Sequence, residues 1–473
     1  MTSPMSLYAA RRKNGSVRIA RAVGLLALGC LLFAGRAVEA PNFVFILADD
    51  QGWNALSVPM DPSEPGSGSV YYDTPRLAQL AKDGIRFSQA YAPAPTCSPS
   101  RHAILFGRSP TSLKIFNADG ISNYDAEASE SLPHVLKRIN ADYVCAHLGK
   151  WHIEQTPGEM GYDVHDGNKM NSDGNSDDPE DPKLIFDLSR RSAAFMEDQV
   201  NAGRPFFLQV SHYANHLTYQ AREETMRKYE TERSGKATPY QNSPLWAGMN
   251  EDLDEGVGMV LDRIDELGIA DNTYVIYTAD NGYEAKTDFG KPVRERGFYK
   301  AYPQRSHKYH VSEGGIRVPF IVRGPGIPAN TFSDEAVVGT DVFATVMDLA
   351  GGSDRMPVRV EGASFAANAK TGGKESIVRK DPFLVFKYTK ERPPHDAAIV
   401  QGDYKLIKDI NTGRVFLFNL KKDIGESHDL SRQLPELAQR MYERMTAYFK
   451  RFGWDESQIG NTQARRRSTA NGN

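Results

Sequence analysis

Four short apolar runs, each stopping abruptly at polar residues, constrain this chain most. They are Phe43 to Ala48 before Asp49-Asp50, Tyr143 to Leu148 before Gly149-Lys150-Trp151-His152, Phe206 to Val210 before Ser211-His212-Tyr213-Ala214-Asn215-His216, and Tyr274 to Ala279 before Asp280-Asn281-Gly282. These runs lack the two-residue alternation of a half-exposed strand, so the strands they form must be covered on both faces. Helix signals fall between them. Thr74 precedes Pro75, and Gly84 closes the same stretch, the marks of a capped helix. Leu253, Val257, Val260, Leu261 and Ile264 recur at helical spacing before Gly268. Such alternation specifies an α/β fold with a mainly parallel sheet. Ligands of these sheets bind beyond the carboxyl ends of the strands. One polar strand end is ordinary, but four carrying Asp, Lys, His and Asn predict a single convergent site.

The pattern changes near Pro382. Phe383 to Phe386, Tyr404 to Ile407 and Val415 to Phe418 read as short strands, with turn signals at Gly402-Asp403 and Thr412-Gly413. An amphipathic helix follows from Pro435 to Phe452. The expected organisation is a signal segment over 1–40, a catalytic domain over 41–370, a smaller C-terminal subdomain of antiparallel sheet and helix over 371–460, and a flexible tail over 461–473.

Charge separates the first segment from the rest. The whole chain has 57 Lys and Arg against 60 Asp and Glu, which excludes the basic footprint of a nucleic-acid partner. Residues 1–40 hold six bases (Arg11, Arg12, Lys13, Arg18, Arg21, Arg36) and one acid, Glu39, so 51 bases and 59 acids remain, a net of −8. The basic stretch precedes an apolar run, Ala22 to Ala34, that is short for a bilayer span. It reads as a secretory signal, with small residues at Ala37, Val38 and Ala40 for cleavage. The expectation is export to the periplasm or beyond, with membrane anchoring through this segment as the alternative. Past it only Cys97 and Cys145 remain, too few for a disulfide scaffold. Cys145 lies in an apolar run and reads as a small core residue. Cys97 opens Cys97-Ser98-Pro99-Ser100-Arg101 ahead of a helical stretch, His102 to Phe106. Pro99 suits a first helical turn, which would put Cys97 where exposed amides and the helix dipole favour an anion.

Cys97-Ser98-Pro99-Ser100-Arg101 resembles the Cys-x-Pro-Ser-Arg signature of the formylglycine-dependent, arylsulfatase-like sulfatases of the alkaline phosphatase superfamily. Asp49-Asp50, Gly149-Lys150-Trp151-His152, Asp280-Asn281-Gly282, and Lys308 ahead of Glu313-Gly314-Gly315-Ile316-Arg317-Val318-Pro319 resemble the family's other elements, in its order. Phe418-Asn419-Leu420, Asp423 and Gly425-Glu426 resemble its closing segment. The resemblance implies an alkaline-phosphatase-like α/β sandwich with a large, mostly parallel sheet. It implies hydrolysis of sulfate esters, on a sulfated carbohydrate, with Cys97 oxidised to formylglycine by a separate formylglycine-generating enzyme. A divalent cation, Ca²⁺ or otherwise Mg²⁺, would be held by Asp49, Asp50, Asp280, Asn281 and the converted residue 97, since hard oxygens suit hard cations.

The same resemblance implies the roles. One hydroxyl of the hydrated aldehyde attacks sulfur, and deprotonation of the other releases sulfate. His152 is the base, and Arg101 and Lys150 hold the diol. Lys308 and His216 bind sulfate oxygens and protonate the leaving alkoxide. His216 is preferred to His212 by its distance from the strand at Phe206, and His212 is left to substrate binding. The basic segment Lys291 to His310, with Arg294 and Arg296, suggests a polyanion subsite. The acidic stretch Asn171 to Lys183 reads as a solvated excursion. Two alternatives stand beside this reading: a phosphomonoesterase or phosphodiesterase of the same superfamily, and a catalytically silent glycan-binding protein on the same scaffold.

Overall fold

The computed structural model describes residues 40–115, 125–284, 301–388, 396–410 and 412–454. Eight strands form one sheet: β1 (Asn42–Ala48), β2 (Ile85–Phe87), β3 (Val144–Gly149), β4 (Val164–His165), β5 (Phe206–Ser211), β6 (Thr273–Ala279), β7 (Phe320–Arg323) and β8 (Thr331–Ser333). Their order is β4–β3–β5–β1–β6–β7–β2–β8. All pair in parallel except β7, which is antiparallel to both neighbours. The four apolar runs are β3, β5, β1 and β6, adjacent at the centre of the sheet, with Ile46 opposite Val210 on one side and Tyr277 on the other. Their carboxyl ends therefore lie side by side.

Helices in the connections include α1 (Pro75–Asp83), α2 (Cys97–Phe106), α3 (Ile185–Asn201), α4 (Pro244–Glu266) and α5 (Asp341–Leu349). Val44, Ile46 and Ala48 share a core with Leu77 and Leu80 of α1, Leu188 and Met196 of α3, and Leu253, Val257 and Ile264 of α4. Phe43, Phe45 and Leu47 alternate to the other face and are equally buried. Each large apolar side chain buried this way contributes about 1.5–3 kcal/mol. The start of α1 corrects one expectation. Thr74 stands at its N-cap but spends its hydroxyl on the Ser57 N–H, at 2.8 Å. The free amides of Arg76 and Leu77 instead donate to Asp254 of α4, at 2.9 and 2.7 Å, a cap supplied by a distant residue.

Four strands make the second sheet, β9 (Leu384–Tyr388), β10 (Asp396–Gln401), β11 (Tyr404–Asp409) and β12 (Val415–Asn419), in that order and antiparallel. The sequence reading has three of these and omits β10. Ile399, Leu406 and Leu417 pack on α6 (Pro435–Arg451) through Met441, Met445 and Phe449. Phe386, Ala398, Ile407 and Phe418 face Tyr91, Val311 and Ile316. Both faces are thus covered. Cys145 is buried in β3 and unpaired. The signal segment, Arg294, Arg296 and the tail lie outside the described residues. Among the described residues no helix is long and apolar enough to cross a membrane.

Candidate active site

Asp49 and Asp50 follow β1, Asp280 and Asn281 follow β6, Lys150 and His152 follow β3, and the loop carrying His212 and His216 follows β5. Backbone bonds lock these ends together. Asp280 N–H donates to the Ala48 carbonyl at 3.1 Å, His212 N–H to Leu47 at 2.9 Å, Asp49 N–H to Ala214 at 2.9 Å and Lys150 N–H to Ser211 at 2.9 Å. Gly149 has φ of +95°, and a Cβ there would lie 2.2 Å from the Ser211 carbonyl oxygen, so this strand end requires glycine. Cys97 is the first residue of α2, and Arg101 lies one turn on, the spacing that puts both on one helix face.

These residues form a buried cluster. Ligand atoms of Asp49, Asp50, Cys97 and Asp280 lie within 4.8 Å of one another. Three carboxylates face three cations. Lys150 Nζ pairs with Asp49, and Lys308 Nζ lies 2.7 Å from one Asp50 oxygen and 2.9 Å from the other. Arg101 Nε donates to Asp280 at 2.9 Å and its Nη1 to the Lys150 carbonyl at 2.6 Å. Burial opposes the Asp49 charge, yet Lys150, His216 and Arg101 hold its pKa well below the usual value. Asp50 behaves oppositely: burial, against Lys308 and with Asp49 beside it, pushes it up to about 7. Burial and Asp49 also raise Asp280, against Arg101.

The state of Cys97 corrects the expectation drawn from its helix position. Its thiol donates to Asp49 Oδ1 at 3.4 Å and lies 3.9 Å from Asp50 Oδ1. Burial, then Asp280 and Asp49, push its pKa well up. Desolvation and two carboxylates thus oppose the helix dipole and favour the neutral thiol, a poor nucleophile as cysteine. A hard divalent cation fits the remaining donors. Asn281 Nδ2 donates to Asp50 at 2.7 Å, leaving its Oδ1 buried without a partner. That orphaned oxygen, beside three carboxylates, completes an all-oxygen set.

His152 and His216 border the cluster. Burial, then Lys150 and Arg101, lower His152 to about 2, and its Nδ1 has no partner. The shift favours a neutral imidazole. His216 Nδ1 lies 2.6 Å from the Leu217 carbonyl oxygen, which turns Nε2 to within 3.9 Å of Asp50. Burial, Lys308 and Lys150 lower it to about 2 as well. His212 is fully buried, makes no ion pair with the cluster, and neither ring nitrogen has a partner. Of the two histidines, His216 is the one the structure brings against the carboxylates.

Lys183, which the sequence reading leaves in a solvated acidic stretch, is fully buried. Its Nζ donates to Asn175 Oδ1 at 3.1 Å and reaches the Leu217 carbonyl at 3.5 Å, the same oxygen that engages His216. Its backbone N–H and that of Ser176 both donate to Gln220 Oε1, at 3.2 and 2.9 Å, and Gln220 Nε2 returns a bond to the Ser176 carbonyl at 2.7 Å. The acidic stretch is a strap across the His216 loop. Burial lowers Lys183 to about 8, with Asp49 opposing the shift and Lys150 adding to it. The basic segment also changes character. Arg305 lies 3.6 Å from Glu426 and donates to Ser312 Oγ at 3.1 Å, and His307 packs edge-on to His310 at 4.8 Å. Arg305 and His307 of that segment thus make contacts within the chain.

The fold and the site define a hydrolase of alkaline-phosphatase-like architecture. Residues 41–353 match the family model described as Sulfatase, and residues 304–451 match the C-terminal model of N-sulphoglucosamine sulphohydrolase. The chain belongs to the sulfatase family and is a sulfuric ester hydrolase by class. A sulfatase of Formosa agariphila is 26% identical over 87% of this chain and 89% of its own length. The N-acetylgalactosamine-6-sulfatase of Mus musculus is 28% identical over 72% of this chain and 70% of its own. The crystal structure of Ps i-CgsB superposes with a TM-score of 0.71 at 25% identity, covering 92% of this chain and 98% of that one.

Proposed function

We propose that this sulfatase cleaves sulfate esters of a sulfated carbohydrate, using an aldehyde made from Cys97 by a formylglycine-generating enzyme and a bound Ca²⁺ or Mg²⁺. The observation that carries the reading is the neutral, buried Cys97 set among Asp49, Asp50 and Asp280 and ringed by Lys150, Lys308 and Arg101. A thiol so placed is a poor nucleophile, and its value lies in what it becomes. The named activity of the murine relative, on N-acetylgalactosamine 6-sulfate, supports a sugar substrate. The basic and then apolar residues before Ala40 support export.

The hydrated aldehyde would supply a nucleophilic hydroxyl and the cation would draw charge from the ester, the cation held by Asp49, Asp50, Asp280 and Asn281. Three carboxylates against three cations balance, so a divalent ion leaves a surplus of positive charge that suits an anionic ester. Arg101, clamped between Asp280 and the Lys150 carbonyl, and Lys150 fix the oxygens of residue 97. Lys308 and His216 face the sulfate. His152 accepts a proton. His216 must carry one to serve the leaving oxygen, and a bound anion beside it favours that charged form.

The test is intact-peptide mass spectrometry of the Cys97 peptide after co-expression with a formylglycine-generating enzyme, followed by kinetics on p-nitrophenyl sulfate and p-nitrophenyl phosphate. The expected result is a loss of about 18 Da, the change from CH₂SH to CHO, and faster turnover of the sulfate. Unmodified cysteine despite a competent maturing enzyme overturns this reading. Faster phosphate turnover makes the chain a phosphoesterase instead.

A further inference from the structure

A groove of about 800 Å³, lined by none of the catalytic residues, has a wall that includes Tyr302, Gln304, Ser306, Phe332 and Lys422. It lies at the same end of the sheet as the catalytic residues. Antiparallel β7 separates β6 from β2 and β8, so β2 and β8 run in the direction of β6. Ser88 and Asp334, which follow those two strands, line the groove. At about 4.8 Å per strand, its floor is displaced about 10–15 Å from the end of β6. The chain itself connects the two places. Ser306 stands two residues before Lys308, and Cα atoms are 3.8 Å apart, so the groove wall comes within about 7.6 Å of that lysine's backbone.

The lining has the chemistry of a sugar site. Among the described residues, the exposed large aromatic side chains are Tyr302 (51%) and Phe332 (43%), and both line this groove. Tyr302 is held flat against Tyr240, with ring centroids 4.0 Å apart and 15° between planes. A rigid ring of this kind offers an apolar platform to the C–H face of a pyranose at little entropic cost. Gln304 is 3% exposed, and neither its carboxamide oxygen nor its nitrogen has a partner. One buried donor beside one buried acceptor matches adjacent sugar hydroxyls. Lys421 and Lys422 stand exposed at the rim, where they can meet a sulfate or carboxylate substituent, while Asp61, Glu64, Asp334, Asp403 and Asp423 on the same lining suit sugar hydroxyls.

We infer that this groove is a distal subsite that binds the sugar units flanking the sulfated residue, so that the enzyme acts on oligosaccharides in preference to monosaccharides. The inference rests on the sulfatase reading above. The test uses converted, metal-loaded enzyme with p-nitrophenyl sulfate and with mono- and hexasaccharides of 6-sulfated chondroitin, carrageenan and heparan sulfate, measuring released sulfate. The double variant Tyr302→Ala/Phe332→Ala removes both rings from the groove wall, and Gln304→Leu removes the carboxamide. The expected result is a higher kcat/KM for a hexasaccharide than for its monosaccharide. Each variant should lower the hexasaccharide value about tenfold, through KM, with p-nitrophenyl sulfate unchanged. Equal kcat/KM for both chain lengths overturns the subsite, as does equal loss on both substrate classes or no loss in either variant. Turnover of the aryl sulfate with none of the glycans also overturns it, while the sulfatase reading survives. No turnover of any substrate by verified aldehyde-bearing enzyme removes the reading on which it rests.

Discussion

The molecule buries charge in two places, and they are wired differently. In one, Asp49, Asp50 and Asp280 face Lys150, Lys308 and Arg101. In the other, Glu313 and Glu426 face Lys405 and Arg317. Lys405 Nζ lies 2.8 Å from Glu313 and 2.9 Å from Glu426, and Arg317 donates to Glu313 at 2.9 Å. Tyr91 O–H donates to Glu313 at 3.3 Å, and the Glu313 N–H donates to Glu426 at 3.2 Å. This second group joins β11 of the C-terminal sheet to the segment just after Lys308, and its charges touch, with Arg305 a third cation 3.6 Å from Glu426. Burial works against the Glu313 charge, yet Lys405 and Arg317 lower its pKa. In the first group three carboxylates meet three cations, but Asn281 Oδ1, His152 Nδ1 and Thr96 Oγ1 are buried there with no partner. A satisfied cluster fastens two parts of a fold; a cluster with orphaned polar atoms is shaped for something that arrives later.

The contrast breaks most visibly at Cys97. Cys97→Ala should abolish sulfate ester hydrolysis, by about 10⁴-fold or more in kcat/KM, some 5 kcal/mol of transition-state stabilisation. The circular-dichroism melt should stay within a few degrees, since the site is not a fastener. Lys405→Met should do the reverse. It leaves Glu313 with Arg317 alone and Glu426 with Arg305 at 3.6 Å, and should cost about 3–5 kcal/mol in urea unfolding, with kcat of the folded fraction unchanged. Chelation followed by Ca²⁺ or Mg²⁺ should restore both activity and stability. An ion at a hundredfold excess over its Kd adds about 2.7 kcal/mol, and Lys405→Met should respond to it as the parent does.

The smallest effect concerns pH. Asp50 rises to about 7 without metal, above its ordinary 3.8. Between those values the folded chain keeps a proton that the unfolded chain has lost, so metal-free stability falls as pH rises through that window. A cation must displace the same proton. Calorimetry at pH 6 in buffers of different ionisation enthalpy should show about one proton released, and affinity should rise by up to about tenfold, or 1.4 kcal/mol, per pH unit until about pH 7. A flat profile would mean that Asp50 stays ionised in the free protein.

Much of this was readable from the chain because burial on both faces leaves a plain signature. β1, β3, β5 and β6 carry it, and the residues that end them are the ones the structure gathers. β2, β7 and β8, of three or four residues, are too short to show any period, and β10 hides in Ala397 to Val400. Lys405 and Lys408 flank Leu406-Ile407 in a short strand, and each lysine looks solvated until both carboxylates are seen beside Lys405. Lys183 was illegible for a different reason. A lone lysine ending an acidic run carries the same local signal whether it meets water or a carbonyl thirty-four residues away.

That strap has a consequence for how such an enzyme can change. Lys183 and Gln220 fasten the loop of residues 171–184 to the loop that bears His216. Neither loop can lengthen, shorten or drift alone without pulling on the Leu217 carbonyl and, through it, on the imidazole. Inherited or engineered shifts in specificity on this side of the cleft should therefore come as paired alterations, one in each loop, and single insertions should be the ones that selection discards.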